Sequence, residues 1–237
     1  MDLGIAGRVA LVTGSSSGLG RAAAASLSRE GASVVLSARG IDRLREAEAA
    51  MPGDAFVVAD DITDPEAPER LVRATVERFG GLDILVANAG GPPAARALEV
   101  DDEALATALN ANLMASIRLV RASVPHMRSS GWGRIVLIAS RSVKQPIPEL
   151  ALSNTARTGL WAWAKTAAQD LAPDAITLNL ACPGTHATER ARSLGLEGPM
   201  GDPEDFGDVV AVLCSAQASF ITASAVQVDG GEITGLL

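Results

Sequence analysis

The chain of 237 residues contains no tyrosine. No phenolic hydroxyl is therefore available to donate or accept a proton. Histidine and cysteine are scarce as well, and the chain has two of each: His126, His186, Cys182 and Cys214. The cysteines do not form a Cys-x-x-Cys pair, and a zinc site needs more ligands than this set supplies. We predict a protein without a metal site.

Positive charge and long apolar runs are also lacking. Lys and Arg number 20 against 28 Asp and Glu, which gives a net charge of −8 and argues against a nucleic-acid partner. No apolar run approaches the roughly 18 residues that span a bilayer. The first residues show no basic segment followed by a cleavage site. We therefore expect a cytoplasmic protein without a membrane partner.

Hydrophobic residues make up 48% of the chain, which is enough apolar material for the core of one domain over residues 1–237. Short β-rich segments alternate with helical ones. The predicted strands are Arg8–Thr13, Ala32–Ala38, Ala55–Ala59, Leu82–Ala87, Arg134–Ala139, Ala175–Ala181 and Ala225–Val228. The predicted helices are Gly18–Glu30, Asp42–Ala50, Pro65–Phe79, Asp101–Arg128, Leu150–Leu171 and Pro203–Ser215. This alternation predicts a doubly wound (Rossmann) α/β fold, with a seven-stranded parallel sheet between helices on both faces.

Ligands of such sheets bind beyond the carboxyl ends of the strands, so the residues that follow each strand are the candidates for a site. A glycine-rich turn, Gly14-Ser-Ser-Ser-Gly18-Leu-Gly20, follows the first strand and opens the first helix. Glycines let the backbone approach a pyrophosphate, which the N–H groups at the start of the helix then bind. A ligand-free turn is the alternative, but the strand before it and the helix after it favour dinucleotide binding.

The second strand ends at Ala38-Arg39 without a carboxylate. An acidic residue about 20 positions after the glycine loop binds the ribose of NAD, whereas arginine accommodates the 2′-phosphate of NADP. Arg39 therefore predicts a preference for NADP(H) over NAD(H). Ser17 in the loop is not basic, which argues against a strong preference for NADP(H). Arg39 as a merely solvated loop residue is the alternative.

These motifs resemble, in order along almost the whole chain, those of the short-chain dehydrogenase/reductase family. Ala87-Asn88-Ala89-Gly90, Asn112, the strand that ends in Ser140, and Pro183-Gly184 with Thr188 continue the resemblance after the glycine loop. The resemblance implies a set of cofactor-binding residues: Gly14, Ser16, Ser17, Gly18, Leu19, Gly20, Arg39, Asp61, Ile62, Asn88, Ala89, Gly90, Arg157, Pro183, Gly184 and Thr188. It also implies a homo-oligomer, a dimer or tetramer, assembled through the two long helices.

The family's proton donor is a tyrosine that is followed four residues later by a lysine. Here Ser153 and Arg157 stand at those positions, 13 and 17 residues after Ser140. An aliphatic hydroxyl is a far weaker acid than a phenol, and arginine stays charged, although it can still bind ribose hydroxyls and stabilise negative charge. The segment Ser153-Asn154-x-x-Arg157 resembles a variant subgroup near the β-ketoacyl-carrier-protein reductases. The expected catalytic residues are Asn112, Ser140, Ser153, Arg157 and Lys144.

Three proton sources stay open: water ordered by Ser140, Ser153 and Arg157, the ammonium group of Lys144, or the imidazole of His186. Lys144 and His186 as surface loop residues are the alternatives. The region of about 184–202, where relatives fold a lid over the substrate, is short. Two functions follow from these residues. The first is an NADP(H)-dependent, 3-oxoacyl-reductase-like oxidoreductase that acts on a small carbonyl/alcohol pair. The second is an NADP(H)-binding protein without redox turnover, such as a sensor or an oligomer partner.

Overall fold

The computed structural model describes residues 2–236 of the chain. Seven parallel strands form one sheet in the order β3-β2-β1-β4-β5-β6-β7. Their bounds are β1 Val9–Thr13, β2 Ser33–Ala38, β3 Ala55–Ala59, β4 Ile84–Ala87, β5 Gly133–Ile138, β6 Ile176–Pro183 and β7 Ala225–Val228. The predicted seven-stranded, doubly wound sheet is therefore confirmed, with most strand boundaries within one or two residues of those expected.

The helices cover both faces of this sheet. Their bounds are α1 Gly18–Arg29, α2 Ile41–Ala49, α3 Ala67–Phe79, α4 Asp102–Leu109, α5 Ala115–Ser130, α6 Ala151–Leu171, α7 Glu189–Ser193 and α8 Pro203–Leu213. Neighbouring strand residues point to opposite faces, so Leu11 packs into the core under α3, α5 and α6 while Val12 packs under α1, α2 and α8. Strands that are buried on both faces explain the nearly uninterrupted apolar runs in the sequence.

Two local differences from the predicted helices affect the site. The single helix expected over Asp101–Arg128 is interrupted by a five-residue π-helical segment, Asn110–Met114, between α4 and α5. This segment widens the helix where Asn112 lies, and π segments of this kind are frequent at functional sites. The second difference is α7, a short helix in the 184–202 region that the sequence pattern did not predict.

The topology fixes where a ligand can bind. β1 pairs with β2 on one side and with β4 on the other. The chain therefore winds outwards from β1 to β3, crosses back over the sheet, and winds in the other direction from β4 to β7. A crevice opens beyond the carboxyl ends of the strands at this reversal. Across residues 2–236, every helix is too short or too polar to cross a membrane.

Candidate active site

A cleft of about 1150 Å³ lies beyond the carboxyl ends of β1 to β6. It brings together most of the residues that the sequence singled out. They are Gly14, Ser16, Ser17, Gly18, Leu19, Arg39, Asp61, Ile62, Asn88, Ala89, Gly90, Ser140, Ser153, Arg157, Pro183, Gly184 and Thr188. Three other candidates, Gly20, Asn112 and Lys144, are not part of its wall. The site is therefore a single continuous groove that runs from the glycine loop to α6.

The glycine loop is held against the end of β4. Asn88 donates its side-chain N–H to the carbonyl oxygen of Gly14 at 3.1 Å, and Thr13 exchanges two hydrogen bonds with the Asn88 backbone at 2.9 and 3.0 Å. Gly14 has a φ of +58°. A Cβ atom on Gly20 would lie 2.3 Å from the Gly14 carbonyl oxygen, so only glycine lets α1 start this close to the loop. The loop and the free N–H groups at the start of α1 therefore fit a dinucleotide pyrophosphate.

The far end of the cleft, beside β2 and β3, carries the side chains of Arg39, Arg43 and Asp61. Arg39 is exposed and has no ion-pair partner within residues 2–236. Arg43, on the first turn of α2, pairs with Glu189 on α7. The Asp61 carboxylate accepts hydrogen bonds from the backbone and hydroxyl of Thr63 at 3.0 and 2.9 Å. Arg39 is therefore the unpaired cation at this end, where the sequence predicts the 2′-phosphate of NADP.

The carboxylate of Asp60 binds Arg70 instead of facing a ligand. Its carboxylate accepts two hydrogen bonds from Arg70, at 2.9 and 2.8 Å, and the bond from Arg70 is the main reason that the pKa of Asp60 is lowered. Asp61, and not Asp60, is therefore the acid free to meet a ligand.

Arg157 forms the centre of the opposite end of the cleft. Its guanidinium donates to the carbonyl oxygen of Ile138 at 2.8 Å, to the side-chain oxygen of Asn112 at 3.0 Å and, more weakly, to the carbonyl oxygen of Ala89 at 3.5 Å. All three acceptors are neutral, and Arg157 is only 6% exposed. Burial, with a smaller contribution from the nearby charge of Arg190, lowers the pKa of Arg157 from 12.5 to about 10. The site thus contains a fixed, buried cation without a carboxylate partner in the described chain.

Two hydroxyl groups share this end with Arg157. Ser140 accepts a hydrogen bond from the backbone N–H of Ser142 at 3.1 Å, which leaves its own O–H proton available as a donor. Ser153 is buried, and its hydroxyl bonds to no other group among residues 2–236. This end of the cleft therefore presents two hydroxyl groups and a cation, but no phenol.

Asn154, the second residue of the Ser-Asn-x-x-Arg segment, has a structural role. Its side chain donates to the carbonyl oxygen of Ile147 at 2.8 Å and accepts from the Ile147 N–H at 3.4 Å. These bonds attach the loop after Ser140 to the first turn of α6. Since Ile147 lines the cleft, Asn154 shapes the wall without reaching the ligand.

The two remaining candidates for proton transfer are differently placed. The Lys144 ammonium group lies 4.5 Å from the centre of the Trp161 ring, away from the cleft wall. His186 lines the cleft but is 6% exposed. Its Nδ1 atom lies 3.2 Å from the Gly184 carbonyl oxygen, and its ring packs edge to face on Phe206 with 5.3 Å between centroids. His186 is therefore held at the base of the 184–202 loop.

Comparisons with known proteins agree with this geometry. The family model described as enoyl-(acyl carrier protein) reductase matches residues 14–232. Dehydrogenase/reductase SDR family member 4 of Homo sapiens is 34% identical over 244 residues, which cover 96% of this chain and 88% of that protein. The oxidoreductase asL5 of Sarocladium schorii is 33% identical and covers 96% of both chains. The chain belongs to the short-chain dehydrogenase/reductase family.

Solved structures of this family overlay closely on the chain. L-sorbose reductase from Gluconobacter frateurii, in complex with NADPH and L-sorbose, superposes with a TM-score of 0.93, 34% identity and full coverage of both chains. A dehydrogenase/reductase from Sinorhizobium meliloti 1021 gives a TM-score of 0.88 at 31% identity, with 97% of this chain and 96% of that one covered. The family resemblance drawn from the motifs is therefore confirmed.

The site of this dehydrogenase/reductase also includes residues that the motifs did not reveal. Consecutive residues of α7 reach opposite walls of the cleft: Glu189 pairs with Arg43, and Arg190 donates to the Pro92 carbonyl oxygen at 2.8 Å. The sequence signal for these contacts is weak: Arg43 lies four residues after Arg39, and Arg190 lies two residues after Thr188. α7 therefore bridges the cleft, and the short 184–202 region is an ordered cover.

A second set of contacts, besides those of Asn154, holds the loop after Ser140 in place. Glu232, beyond β7, forms an ion pair with Arg141, with 2.7 Å between Nε and Oε2, and accepts a hydrogen bond from the Thr185 backbone N–H at 2.6 Å. Nothing in the sequence predicted this contact between distant segments. Within residues 2–236 there is no cluster of three or more His, Cys, Asp or Glu side chains that could hold a metal ion.

Proposed function

We propose that this dehydrogenase/reductase is NADP(H)-dependent and interconverts a small carbonyl compound and its alcohol through an active site that works without a phenol. The observation that carries the proposal is the composition of one cleft. The glycine loop forms one end of the cleft, and three polar residues, Ser140, Ser153 and Arg157, line the other end. A site without activity could have apolar residues at these three positions. Two solved relatives at 34% identity, both L-sorbose reductase, are complexes with NADPH.

The residues of the cleft fit the cofactor along its length. Gly14 to Gly20 would hold the pyrophosphate, and Asp61 with Ile62 the adenine. Arg39 would hold the 2′-phosphate, which underlies the preference for NADP(H) over NAD(H). Arg157 would bind the ribose next to the nicotinamide, and Asn88 to Gly90, Pro183, Gly184 and Thr188 would line its sides. When bound, the cofactor gives or takes the two electrons of the carbonyl/alcohol exchange.

The chain's own groups then handle the oxygen atom of the substrate. Ser140 can donate its hydroxyl proton in a hydrogen bond to the carbonyl oxygen, because the hydroxyl is only the acceptor in its bond with the Ser142 N–H. The guanidinium of Arg157 stabilises negative charge that develops on that oxygen. The short side chain of Ser153 leaves room for a water molecule where the family has a phenol ring. This water passes a proton from the solvent to the substrate oxygen and is reprotonated by the solvent. A proton from Lys144 would require its ammonium group to leave the Trp161 ring.

The test is NADPH oxidation, followed by absorbance, with a panel of ketones, 3-oxo esters and 2-oxo acids. The wild type, Ser140→Ala and the double variant Ser153→Tyr/Arg157→Lys are compared. We expect turnover by the wild type and its loss in Ser140→Ala. Turnover by the double variant alone, with tight NADPH binding in the wild type, would instead identify an NADP(H)-binding protein without redox activity.

The substrate and the assembly of the protein extend the proposal. The motif resemblance supports a 3-oxoacyl-like carbonyl substrate. We propose a cytoplasmic homo-oligomer, a dimer or tetramer. α5 and α6 support this assembly, because Met114, just before α5, is exposed and Trp161 and Trp163 of α6 are only half-buried. Light scattering after size-exclusion chromatography measures the assembly, and a monomer at micromolar concentration would contradict it.

A further inference from the structure

The charges that line the cleft are unevenly paired. Three of the four carboxylates on its wall have an ion-pair partner in the chain: Asp60 with Arg70, Glu149 with Arg96, and Glu189 with Arg43. The fourth, Asp61, bonds only to Thr63 within residues 2–236. Among the cations of the wall, Arg43 and Arg141 are also paired. Arg39, Arg157 and Arg190 have no carboxylate partner within residues 2–236. Three unpaired cations in one groove are unexpected in a chain whose net charge is −8.

These three cations fall into two groups. Arg39 lies at the β2 end, where the proposed function already gives it a phosphate. Arg157 and Arg190 lie at the other end and bind carbonyl oxygens of the same loop, Arg157 that of Ala89 and Arg190 that of Pro92. Three residues of chain span at most about 10 Å, so the two guanidinium groups approach one short loop from α6 and from α7. The lowered pKa of Arg157, to which Arg190 contributes, agrees with their proximity.

The two cations differ in what they can still bind. Arg157 is 6% exposed, and its guanidinium is held by three acceptors. The Arg190 side chain is exposed and is held by one bond to the Pro92 carbonyl oxygen. Its guanidinium has five N–H donors, so most of them are available to a ligand. Apolar side chains line the same part of the cleft: Ile147, Leu150, Leu194 and Leu196.

We infer that Arg190 binds a carboxylate of the substrate, so that the carbonyl compounds used by this enzyme are oxo acids with a hydrocarbon body. The inference rests on the proposed function, because it places the reacting carbonyl group beside Ser140 and Arg157. A planar guanidinium fork matches a carboxylate, and the leucine and isoleucine side chains match the hydrocarbon. A neutral ketone or sugar would leave two neighbouring cations without a counter-charge.

Binding is the direct test, because it requires no turnover. The probes are benzoylformate, benzoylacetate and 3-benzoylpropionate, which place the carboxylate at increasing distance from the ketone, each with its methyl ester as the neutral match. Calorimetry measures their dissociation constants for the NADP⁺ complex of the wild type, Arg190→Leu and Arg192→Leu. Arg192→Leu is the matched control, because it removes a positive charge from the same helix at a residue that does not line the cleft.

We expect at least one acid to bind about tenfold or more tightly than its ester, the ratio that one charge-assisted hydrogen bond gives. Arg190→Leu should reduce this ratio to about one and leave the ester unchanged, whereas Arg192→Leu should keep the ratio. The inference is wrong if no acid binds better than its ester or if Arg190→Leu weakens acid and ester equally. It is also wrong if the effect of Arg190→Leu lies wholly in the affinity for NADP⁺.

The outcomes separate this inference from the proposed function. An acid-selective site in a protein that never oxidises NADPH would overturn the proposed reaction and leave the carboxylate site in place. Turnover of neutral ketones with equal affinity for acids and esters would support the reaction and overturn the carboxylate site.

Discussion

Replacing Arg157 with methionine should leave the stability of the protein nearly unchanged while it weakens NADPH binding. Methionine keeps most of the apolar stem and removes the buried guanidinium. In the folded chain the pKa of Arg157 falls from 12.5 to about 10, so the surroundings oppose its charge by about 3 kcal/mol. Removing the charge therefore raises the free energy of unfolding by this amount, as expected for a buried ion without an ionic partner.

The loss of the hydrogen bonds from Arg157 lowers the free energy of unfolding, which opposes the gain from removing the charge. Methionine leaves the carbonyl oxygen of Ile138 and the side-chain oxygen of Asn112 without donors, at about 1 to 1.5 kcal/mol each. The 3.5 Å contact with Ala89 is too long to add much. The two contributions nearly cancel, so the free energy of unfolding should change by no more than about 1 kcal/mol in either direction.

Urea unfolding without cofactor measures the stability, and fluorescence titration measures the NADPH dissociation constant. We expect NADPH affinity to fall about tenfold or more, because the proposed ribose contact is a charge-assisted hydrogen bond. Arg134→Met is the control, because Arg134 is also buried and binds three backbone carbonyl oxygens but lies outside the cleft. Two results for Arg157→Met would refute the reasoning. One is a loss of about 3 kcal/mol or more in the free energy of unfolding, which is as large as the whole free energy by which the surroundings disfavour the charge. The other is an unchanged affinity for NADPH.

The pH dependence of the same pair of proteins gives an independent check. Below a pH of about 10, Arg157 is charged in both the folded and the unfolded chain, so the pKa difference has its full destabilising effect. As the pH rises through about 10, the folded chain releases the proton before the unfolded chain does, and the wild type gains stability. The stability difference between wild type and Arg157→Met should therefore be constant at neutral pH and shift towards the wild type in alkali.

Three further substitutions test the rest of the cleft. Arg39→Ala should weaken NADPH about tenfold or more and leave NADH unchanged in a titration; equal losses would contradict its contact with the 2′-phosphate. Gly20→Ala places a methyl group 2.3 Å from the Gly14 carbonyl oxygen, and urea unfolding should show a loss of about 1 to 3 kcal/mol; a variant as stable as the wild type would contradict the close approach. Asn154→Ala removes both bonds to Ile147 and should raise KM while NADPH affinity is unchanged; a fall in that affinity would contradict a purely structural role.

The sheet was predictable because its signals are local. Strands buried on both faces must be apolar along their whole length, as in Val9–Thr13, where every residue is buried. The position of Ser16, Asn88, Ser140 and Thr188 after successive strands then follows from the topology, which brings the carboxyl ends of parallel strands to one edge. Residues far apart in the sequence could thus be assigned to one cleft without any knowledge of their contacts.

The parts that escaped prediction depend on packing between distant segments. The π segment that contains Asn112 has no composition signal that separates it from an ordinary helix. The pair Arg43 and Glu189 joins residues 146 positions apart, and the position of Lys144 over Trp161 depends on how the loop meets α6. Side-chain partners of this kind follow from tertiary geometry, which the periodicity of the sequence does not encode.

The replacement of tyrosine and lysine that the motif resemblance implies is one chemical change. In the pattern that the resemblance implies, the lysine lowers the pKa of the tyrosine phenol. The hydroxyl of Ser153 is too weak an acid to be tuned in this way, so a neighbouring cation has no pKa to adjust. Arginine can then occupy position 157, where its fork reaches Ile138, Asn112 and Ala89 together. Arg157→Lys alone would shorten this reach without restoring an acid, so only the double reversion with Ser153→Tyr can recover the family's proton transfer.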